Sequence, residues 1–307
     1  FPFRLLILSA LPWYAYPIIP VLGHRKINTI TALDVQHVMT ISANVTIRDQ
    51  RYIWQTFSSC FGYMLDLGVM LHNPAARVSK PSNQQLNKSV RFLTEEQAHK
   101  LIDVSENYHL YTVALATGAR EGELLGLTWD NINWDASSIS VVKQLKWSSE
   151  KKENGDRFYF SYPKTQGSIR HIKIGPKTLN TLKEQRERVK QLQGIQRKRW
   201  REFSLVFPSI VGTPIEPTNL IRRFKKVLKK AGLPIVRFHD LRHTHATLLL
   251  LKGIHPKIVS ERLGHKDILT TLRQYSHVLP SLQEEASHSI EDVLFDDETI
   301  ESSLFDL

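Results

Sequence analysis

The stretch that decides the fold begins Phe238-His-Asp-Leu-Arg-His-Thr-His-Ala-Thr247, continues through Leu263-Gly-His-Lys-Asp267 and ends at Thr271-Leu-Arg-Gln-Tyr275. On a helix, His239 and Arg242 are three residues apart and share a face, whereas Leu241, His245 and Leu248 share another. A permanently charged guanidinium beside an imidazole suits contact with an anion. The stretch therefore predicts helices with one anion-binding face and one face that packs.

The order of these motifs resembles the signature of tyrosine recombinases, the phage-integrase family of site-specific DNA recombinases. His-x-x-Arg is followed by Leu-Gly-His and by a Tyr ten residues after that His. The resemblance implies an upstream arginine in a Thr-Gly-x-Arg-x-x-Glu frame, which residues 117–123 supply. It also implies a lysine in a β-hairpin between the two arginines, and Pro163-Lys164-Thr165 with residues 168–174 matches it. Motifs in this order make a specific signal, although each alone is weak.

The chemistry of a DNA phosphodiester explains these residue types. Attack on phosphorus builds negative charge on the non-bridging oxygens, which fixed cations must stabilise. Guanidinium groups present a planar fork to two oxygens, which suits Arg120 and Arg242 to clamping this transition state. The phenol of Tyr275, once deprotonated, can attack phosphorus and keep the strand end as a phosphotyrosine ester. No ATP is then required.

The resemblance implies the remaining roles and partners. Lys164 would be the general acid for the leaving oxygen, His239 would transfer a proton or position a group, and His265 would hydrogen-bond the phosphate oxygens. The implied reaction is transesterification through a 3′-phosphotyrosyl intermediate and a free 5′-hydroxyl, for integration or excision of a mobile element or prophage. It needs no cofactor and no metal. Four protomers would exchange strands between two double-stranded DNA sites, with accessory DNA-bending or excision factors as further partners.

The charge distribution favours a polyanionic partner. The chain of 307 residues has a formal net charge of +11, but its last 27 residues hold nine acidic residues and no Lys or Arg. Residues 1–280 therefore carry a formal net charge of +20, which favours nucleic acid. A merely soluble basic protein is the alternative on charge alone. The single Cys60 excludes an internal disulfide and a multi-cysteine zinc site, and it fits a reducing, cytoplasmic compartment.

The length favours two domains. Residues 1–80 are predicted to form a helical core-binding, SAM-like DNA-binding domain, truncated at its amino end because the chain begins with Phe1 rather than Met. A linker at 81–92, a catalytic domain at 93–280 and an acidic tail at 281–307 follow. The candidate DNA contacts are the basic residues Arg48, Arg51, Lys80 and Arg170.

The predicted fold class is mainly α with a small antiparallel β-sheet, a helical core-binding domain plus an α+β catalytic domain. Thr31 and Thr94 are candidate N-caps, with Asp34 and Gln97 three residues further on. A helix from 46 to 67 is predicted to bury an apolar stripe, Ile47, Ile53, Phe57, Phe61, Met64 and Leu65. Alternating β-rich segments predict one three-stranded sheet from 139–145, 158–162 and 169–174. Residues 176–202 and 219–231 predict two basic helices.

Three rival interpretations are open. Leu5–Gly23 lacks charged side chains and could cross a membrane, although its prolines argue against this, and no membrane partner is expected. His239-Asp-Leu-Arg-His243 imitates a His-Glu-x-x-His zinc helix, but Asp240 replaces the Glu and Arg242 would lie beside the metal. The third alternative is a catalytically inactive DNA-binding integrase remnant, which the predicted truncation of the amino end favours.

Overall fold

The computed structural model describes residues 15–82, 91–105, 109–148, 150, 155–162 and 169–275, and six residues between 287 and 294. It divides into two compact units, Phe1–Lys88 and Ser89–Leu307. Both units are mainly helical, and the antiparallel sheets of the described residues lie in the second. The predicted fold class is confirmed, whereas the assignment of domains to roles stays a prediction.

The first unit is a small helical bundle. Its helices are α1 (Ala15–Leu22), α2 (Ala32–Ile41) and α3 (Ile47–Asp66), with 3-10 turns at Ile27–Thr29 and Pro74–Arg77. The hydroxyl of Thr31 accepts from the backbone N–H of Asp34, and the Asp34 carboxylate accepts from the N–H of Thr31. This capping box satisfies two helix-end groups and confirms the predicted start of α2.

One face of α3 forms the core of the first unit. Ile53, Phe57, Phe61 and Met64 are buried, and the rings of Phe57 and Phe61 stack with centroids 5.8 Å apart. The predicted stripe is wrong at its two ends, where Ile47 is 46% and Leu65 is 40% exposed. With 3.6 residues per turn, these end positions rotate away from the buried face.

The second unit contains the remaining described elements. Its helices are α4 (Glu95–Val104), α5 (Leu110–Thr117), α6 (Glu121–Leu125), α7 (Pro176–Ile195), α8 (Pro217–Lys230), α9 (Asp240–Leu251), α10 (Pro256–Leu263) and α11 (Ile268–Tyr275). Its strands are β1 (Ile132–Asn133), β2 (Ser138–Val141), β3 (Gln144–Trp147), β4 (Phe158–Ser161) and β5 (Arg170–Lys173). Thr94 and Gln97 form the predicted capping box of α4. Helix α7 ends at Ile195, before the predicted end at 202.

The strands form two sheets rather than the predicted single sheet. One has the order β1-β2-β5 and pairs Ile139 with Ile172, and the other pairs β3 with β4. The predicted strand 139–145 is interrupted, because Val142 and Lys143 belong to neither ladder. Each half of that strand therefore has its own antiparallel partner, and the prediction of one three-stranded sheet is wrong.

Helix α9 is buried along most of its length and packs against α5. Leu241 is 1% and His245 is 6% exposed, as the face prediction requires, while Leu248 is half-buried. The hydroxyl of Thr244 accepts from the N–H of Leu93 and donates to the carbonyl of Asp240, each at 2.9 Å. Thr244 is thus paired on both sides, whereas the buried Nε2 of His245 and the hydroxyl of Thr247 have no hydrogen-bond partner among the described residues.

A second apolar cluster ties α9 to α10 and α11 and positions the end of α11. Its members are Ala246, Leu250, Val259, Leu263 and Tyr275.

Within the residues that the structure describes, no helix combines the length and the apolar character that crossing a bilayer requires. Most of the uncharged stretch Leu5–Gly23 lies outside those residues.

Candidate active site

The described elements of the second unit carry five of the six predicted catalytic side chains. They are Arg120 at the N-cap of α6, His239 at the N-cap of α9, Arg242 within α9, His265 just after α10, and Tyr275 at the end of α11. The sixth, Lys164, lies outside the described residues. Its role stays a prediction.

Two glycine turns deliver the carbonyl groups that hold Arg242. Gly118 ends α5 with φ +62° and Gly264 follows α10 with φ +66°, conformations that favour glycine. The Arg242 guanidinium donates from Nη1 to the carbonyl of Gly118 at 2.8 Å and from Nη2 to that of Leu263 at 2.7 Å. The Thr-Gly and Leu-Gly motifs therefore supply the turns whose backbone orients this arginine.

Arg242 is only 4% exposed. Burial, together with the positive charge of Arg120, lowers the pKa of Arg242 to about 9. The group still carries its charge at neutral pH. Among the described residues, two of the five N–H groups of this guanidinium donate to backbone carbonyls, which leaves three donors for an anion.

Glu123 holds two further arginines. Its carboxylate accepts from the backbone N–H and Nη1 of Arg120, at 2.8 and 2.9 Å, and from Nη1 and Nη2 of Arg170, at 3.1 and 2.7 Å. Burial alone would raise the pKa of Glu123, but the hydrogen bonds and charges of Arg170 and Arg120 lower it to about 2. The carboxylate is therefore ionised over the working pH range.

The two arginines differ in exposure. The side chain of Arg120 is 40% exposed, so part of its guanidinium can face a ligand. Arg170 is predicted from the sequence as a DNA contact, but its side chain is 9% exposed and its Nε donates to the carbonyl of Arg262 at 2.8 Å. Its described donors are directed at Glu123 and at the end of α10, and its contact with DNA stays a prediction.

The two predicted histidines differ in their surroundings. His265 Nδ1 lies 2.8 Å from the buried hydroxyl of Thr271. When Thr271 donates to Nδ1, Nε2 carries the proton and can donate to a phosphate oxygen. Burial and the charges of Arg242, Arg120 and Arg170 lower the pKa of His265 to about 4. His239 retains solvent contact, and partial burial together with the charge of Arg242 lowers its pKa.

Tyr275 is 1% exposed and its hydroxyl lies 2.9 Å from Nδ1 of His243. Burial raises the pKa of Tyr275 to about 12, although the positive charge of Arg242 acts on the phenol in the opposite direction. The resting phenol is thus protonated and paired. Sequence reasoning missed His243. The signal that could have identified it is its position one turn after His239, on the same face of α9.

The positive charge of Arg242 links the predicted residues electrostatically. It acts on the rings of His239 and His265 and on the phenol of Tyr275, and the charge of Arg120 acts on both histidines.

The remaining candidate DNA contacts are in the first unit. Arg48 has a side-chain exposure of 78%, Arg51 is half-buried, and Lys80 lies over the ring of Trp54.

Among the described residues, no group of three or more His, Cys, Asp and Glu side chains is arranged to hold a metal ion. Asp240, which stands where the zinc-helix alternative needs a glutamate, instead accepts hydrogen bonds from the Arg237 backbone and guanidinium.

Comparison with known proteins supports the motif evidence. A model of the phage integrase family matches residues 91–281. A tyrosine recombinase XerC-like protein of Caldanaerobacter subterraneus subsp. tengcongensis is 30% identical over 286 residues, 87% of this chain and 72% of that protein. The ICEBs1 integrase of Bacillus subtilis is 28% identical over 276 residues, 88% of this chain and 71% of that protein.

Solved structures share the fold. The Tn1549 transposon integrase in complex with a circular intermediate DNA superposes with a TM-score of 0.72 at 19% identity, covering 94% of this chain and 99% of that one. XerH recombinase bound to a palindromic difH substrate superposes with a TM-score of 0.63 at 18% identity, covering 91% and 79%. Fold and sequence together define an enzyme of the tyrosine recombinase class, which carries out site-specific DNA recombination. The chain belongs to the phage integrase family, as its motifs predict.

Proposed function

We propose that the second unit cleaves and rejoins a DNA strand through a covalent 3′-phosphotyrosyl bond to Tyr275. The observation that carries this proposal is the buried, backbone-held guanidinium of Arg242, whose charge acts on the phenol of Tyr275 and on both predicted histidines. A scissile phosphate at this guanidinium would be bound by a cation that needs little reorganisation as charge develops. Such preorganisation is commonly the largest electrostatic contribution to catalysis.

Each site residue has a separate role in transesterification. Arg120 and Arg242 bind the non-bridging oxygens, and His265 donates a hydrogen bond from Nε2 to one of them. His239 positions the phosphate or transfers a proton from the exposed side. Lys164 protonates the departing 5′-oxygen, so that the free 5′-hydroxyl can later attack the phosphotyrosine and restore the strand.

The partner is double-stranded DNA, contacted mainly through its phosphates. Helix α8 presents six exposed cations, Arg222, Arg223, Lys225, Lys226, Lys229 and Lys230. The first unit adds Arg48, Arg51 and Lys80, and related enzymes have been solved in complexes with DNA. Four protomers would act on two recombination sites, with accessory DNA-bending or excision factors setting direction. A DNA substrate and a single cysteine favour the cytoplasm as the place of action.

A suicide substrate tests the covalent step. The probe is a duplex with the repeat sequence that flanks the source gene, nicked so that the fragment released by cleavage diffuses away. The wild-type chain should accumulate a protein–DNA adduct that survives denaturation, and Tyr275→Phe should form none while binding the duplex equally well. Tyr162→Phe, an exposed tyrosine of the same unit, is the matched control and should trap DNA like the wild type.

The same experiment tests the alternative of an inactive remnant. A remnant would bind the duplex without forming an adduct. Adducts that persist in Tyr275→Phe would instead assign the nucleophile to another residue. Either result would refute the proposed role of Tyr275.

A further inference from the structure

A buried histidine outside the six predicted positions touches the reacting atom of the proposed nucleophile. His243 is 6% exposed and its Nδ1 lies 2.9 Å from the Tyr275 hydroxyl. The two rings meet edge to face, with centroids 5.9 Å apart. The roles proposed above leave His243 unused and leave the phenolic proton without a destination.

The tautomer of His243 decides which atom donates in this hydrogen bond. The side-chain amide nitrogen of Gln274 lies 3.2 Å from Nδ1 and 3.4 Å from Nε2 of the same ring, so it does not single out either nitrogen. Burial and the neighbouring His239 lower the pKa of His243 to about 4, and burial raises the pKa of Tyr275 to about 12. A neutral imidazole and a protonated phenol share one hydrogen here. In the tautomer with the imidazole proton on Nε2, Nδ1 carries the lone pair and accepts the hydrogen bond that the phenol donates.

We propose that His243 is the proton acceptor for Tyr275, taking the phenolic proton on Nδ1 as the phenol attacks the scissile phosphate and returning it when the strand is rejoined. This inference rests on the proposed function of Tyr275. His243 is a catalytic residue in this scheme because it contacts the reacting oxygen directly. Its bond is already formed in the resting protein, so proton transfer needs no rearrangement of the donor and acceptor.

The cleavage step is balanced in atoms and charge. The Tyr275 oxygen forms a bond to phosphorus as its proton moves to Nδ1, and the bond from phosphorus to the 5′-oxygen breaks with its electron pair going to that oxygen. The departing oxygen takes a proton from the general acid assigned above to Lys164. In rejoining, the 5′-hydroxyl attacks phosphorus as its proton returns to the Lys164 amine, the bond from phosphorus to the Tyr275 oxygen breaks, and His243 returns its proton to that oxygen.

Charged and titratable groups around His243 determine how well it holds the proton. They are Asp240 and Arg242 of α9, Arg237 and His239 just before this helix, and Tyr275 and His265 from elsewhere. Asp240 favours the imidazolium, while the two arginines and His239 oppose it. A bound phosphate adds negative charge beside these cations, so DNA binding shifts the balance towards proton acceptance by His243.

The principal test compares His243→Asn with the wild type in single-turnover cleavage of the nicked duplex described above. The Oδ1 of Asn can replace Nδ1 as a hydrogen-bond acceptor for the phenol, but it cannot take up the proton. Because general base catalysis commonly contributes about 10²- to 10⁴-fold, cleavage should slow by about 10²-fold or more with DNA affinity unchanged. A rate within about threefold of the wild type would overturn the inference, since it would fall far below such a contribution.

A second substrate identifies the side of the reaction on which His243 acts. A duplex with a bridging 5′-phosphorothiolate has a sulfur leaving group that needs no general acid. The loss in His243→Asn should be the same on this duplex as on the normal one. If the sulfur substrate restored the rate, His243 would serve the leaving group and the proposal would be wrong.

The tautomer of His243 can be measured on the wild-type chain without DNA, so this test does not depend on the folding of His243→Asn. The ¹⁵N resonances of the His243 ring should show a protonated Nε2 and a hydrogen-bonded, unprotonated Nδ1, and Tyr275→Phe should shift the Nδ1 resonance. A dominant Nδ1–H tautomer excludes His243 as the acceptor. These results also separate two kinds of failure. If the wild type traps no DNA, the proposed function fails, whereas equal trapping by wild type and His243→Asn refutes only the role of His243.

Discussion

Removing the charge of Glu123 should cost the second unit about 3 kcal/mol, because this carboxylate binds two arginines at once. Its pKa is lowered from 4.5 to about 2, and each pKa unit corresponds to about 1.4 kcal/mol of interaction with the charged form. The side chain is 10% exposed, so solvent screening reduces this little. Glu123→Gln keeps the shape of the side chain but directs an amide N–H₂ at one guanidinium and leaves both cations without their partner.

The pH dependence separates loss of charge from loss of packing. The folded-state pKa of Glu123 lies below its unfolded value, so the stabilisation is fully present above about pH 4.5 and is lost as the pH falls towards 2. Urea unfolding at pH 7 and pH 3.5 should therefore show a large difference between wild type and Glu123→Gln at pH 7, and a smaller one at pH 3.5. A difference below about 1 kcal/mol at pH 7, the value typical of exposed pairs, would refute the reasoning.

Glu121→Gln is the matched control on the same helix. Burial raises the pKa of Glu121, so folding disfavours the charged form and the neutral amide should not destabilise the unit at pH 7. Equal losses in the two variants would show that any substitution in α6 has this effect. The stability measurements would then give no support to the interaction of Glu123 with Arg120 and Arg170.

Two further predictions concern the turns and the buried histidines. Gly253→Ala and Gly264→Ala both place Ala at positive φ, but a Cβ at 253 meets nothing within 4 Å, while one at 264 lies 2.9 Å from Arg170 Nη1. Urea unfolding should show a loss of stability of about 1 kcal/mol for Gly253→Ala and about 2–3 kcal/mol for Gly264→Ala. Equal losses would contradict the argument that the Cβ at 264 is crowded. Burial and Arg262 lower the pKa of His245 to about 4, so its contribution to stability is present above pH 6.5 and is lost as the pH falls towards 4. The side-chain amide of His245→Asn can still donate to the carbonyl of Leu115. When the pH is lowered from 7.5 to 5, the thermal midpoint of this variant should fall less than that of the wild type. An equal fall in the two thermal midpoints would contradict this prediction.

The parts of the fold that the sequence predicts well are those with local causes. Thr94 and Gln97 are three residues apart, so their capping box is visible in the sequence, and so is the end of α5 at Gly118. Several motif residues also lie at helix ends, Arg120 and His239 at N-caps and Tyr275 at the last position of α11. The spacing of His239 and Arg242 likewise follows from helical geometry alone.

What the sequence did not predict depends on contacts between distant residues. Glu123 and Arg170 are 47 residues apart, and Arg170 donates to the carbonyl of Arg262 a further 92 residues along. An exposed arginine and a buried one have the same local sequence signal, so the sequence predicts Arg170 as a DNA contact and does not indicate its hydrogen bonds to Glu123. The bond between His243 and Tyr275 likewise depends on how α11 packs against α9, and the split sheet on which partner each half-strand meets.

The charge distribution of the resting site implies that a bound DNA phosphate itself favours proton transfer. Glu123 is the carboxylate that the described contacts place on Arg120 and Arg170, while Arg242 is held by uncharged carbonyls. Burial, and after it the neighbouring positive charges, lowers the pKa of His243 and of His265. A phosphodiester placed among these arginines supplies the missing negative charge, and the transition state supplies more of it. Burial and these cations keep His243 and His265 neutral in the resting site, and the negative charge of a bound phosphate counteracts the cations, so the rings hold protons more readily when a strand is being cut. Proton transfer from the buried phenol is thereby coupled to occupation of the site.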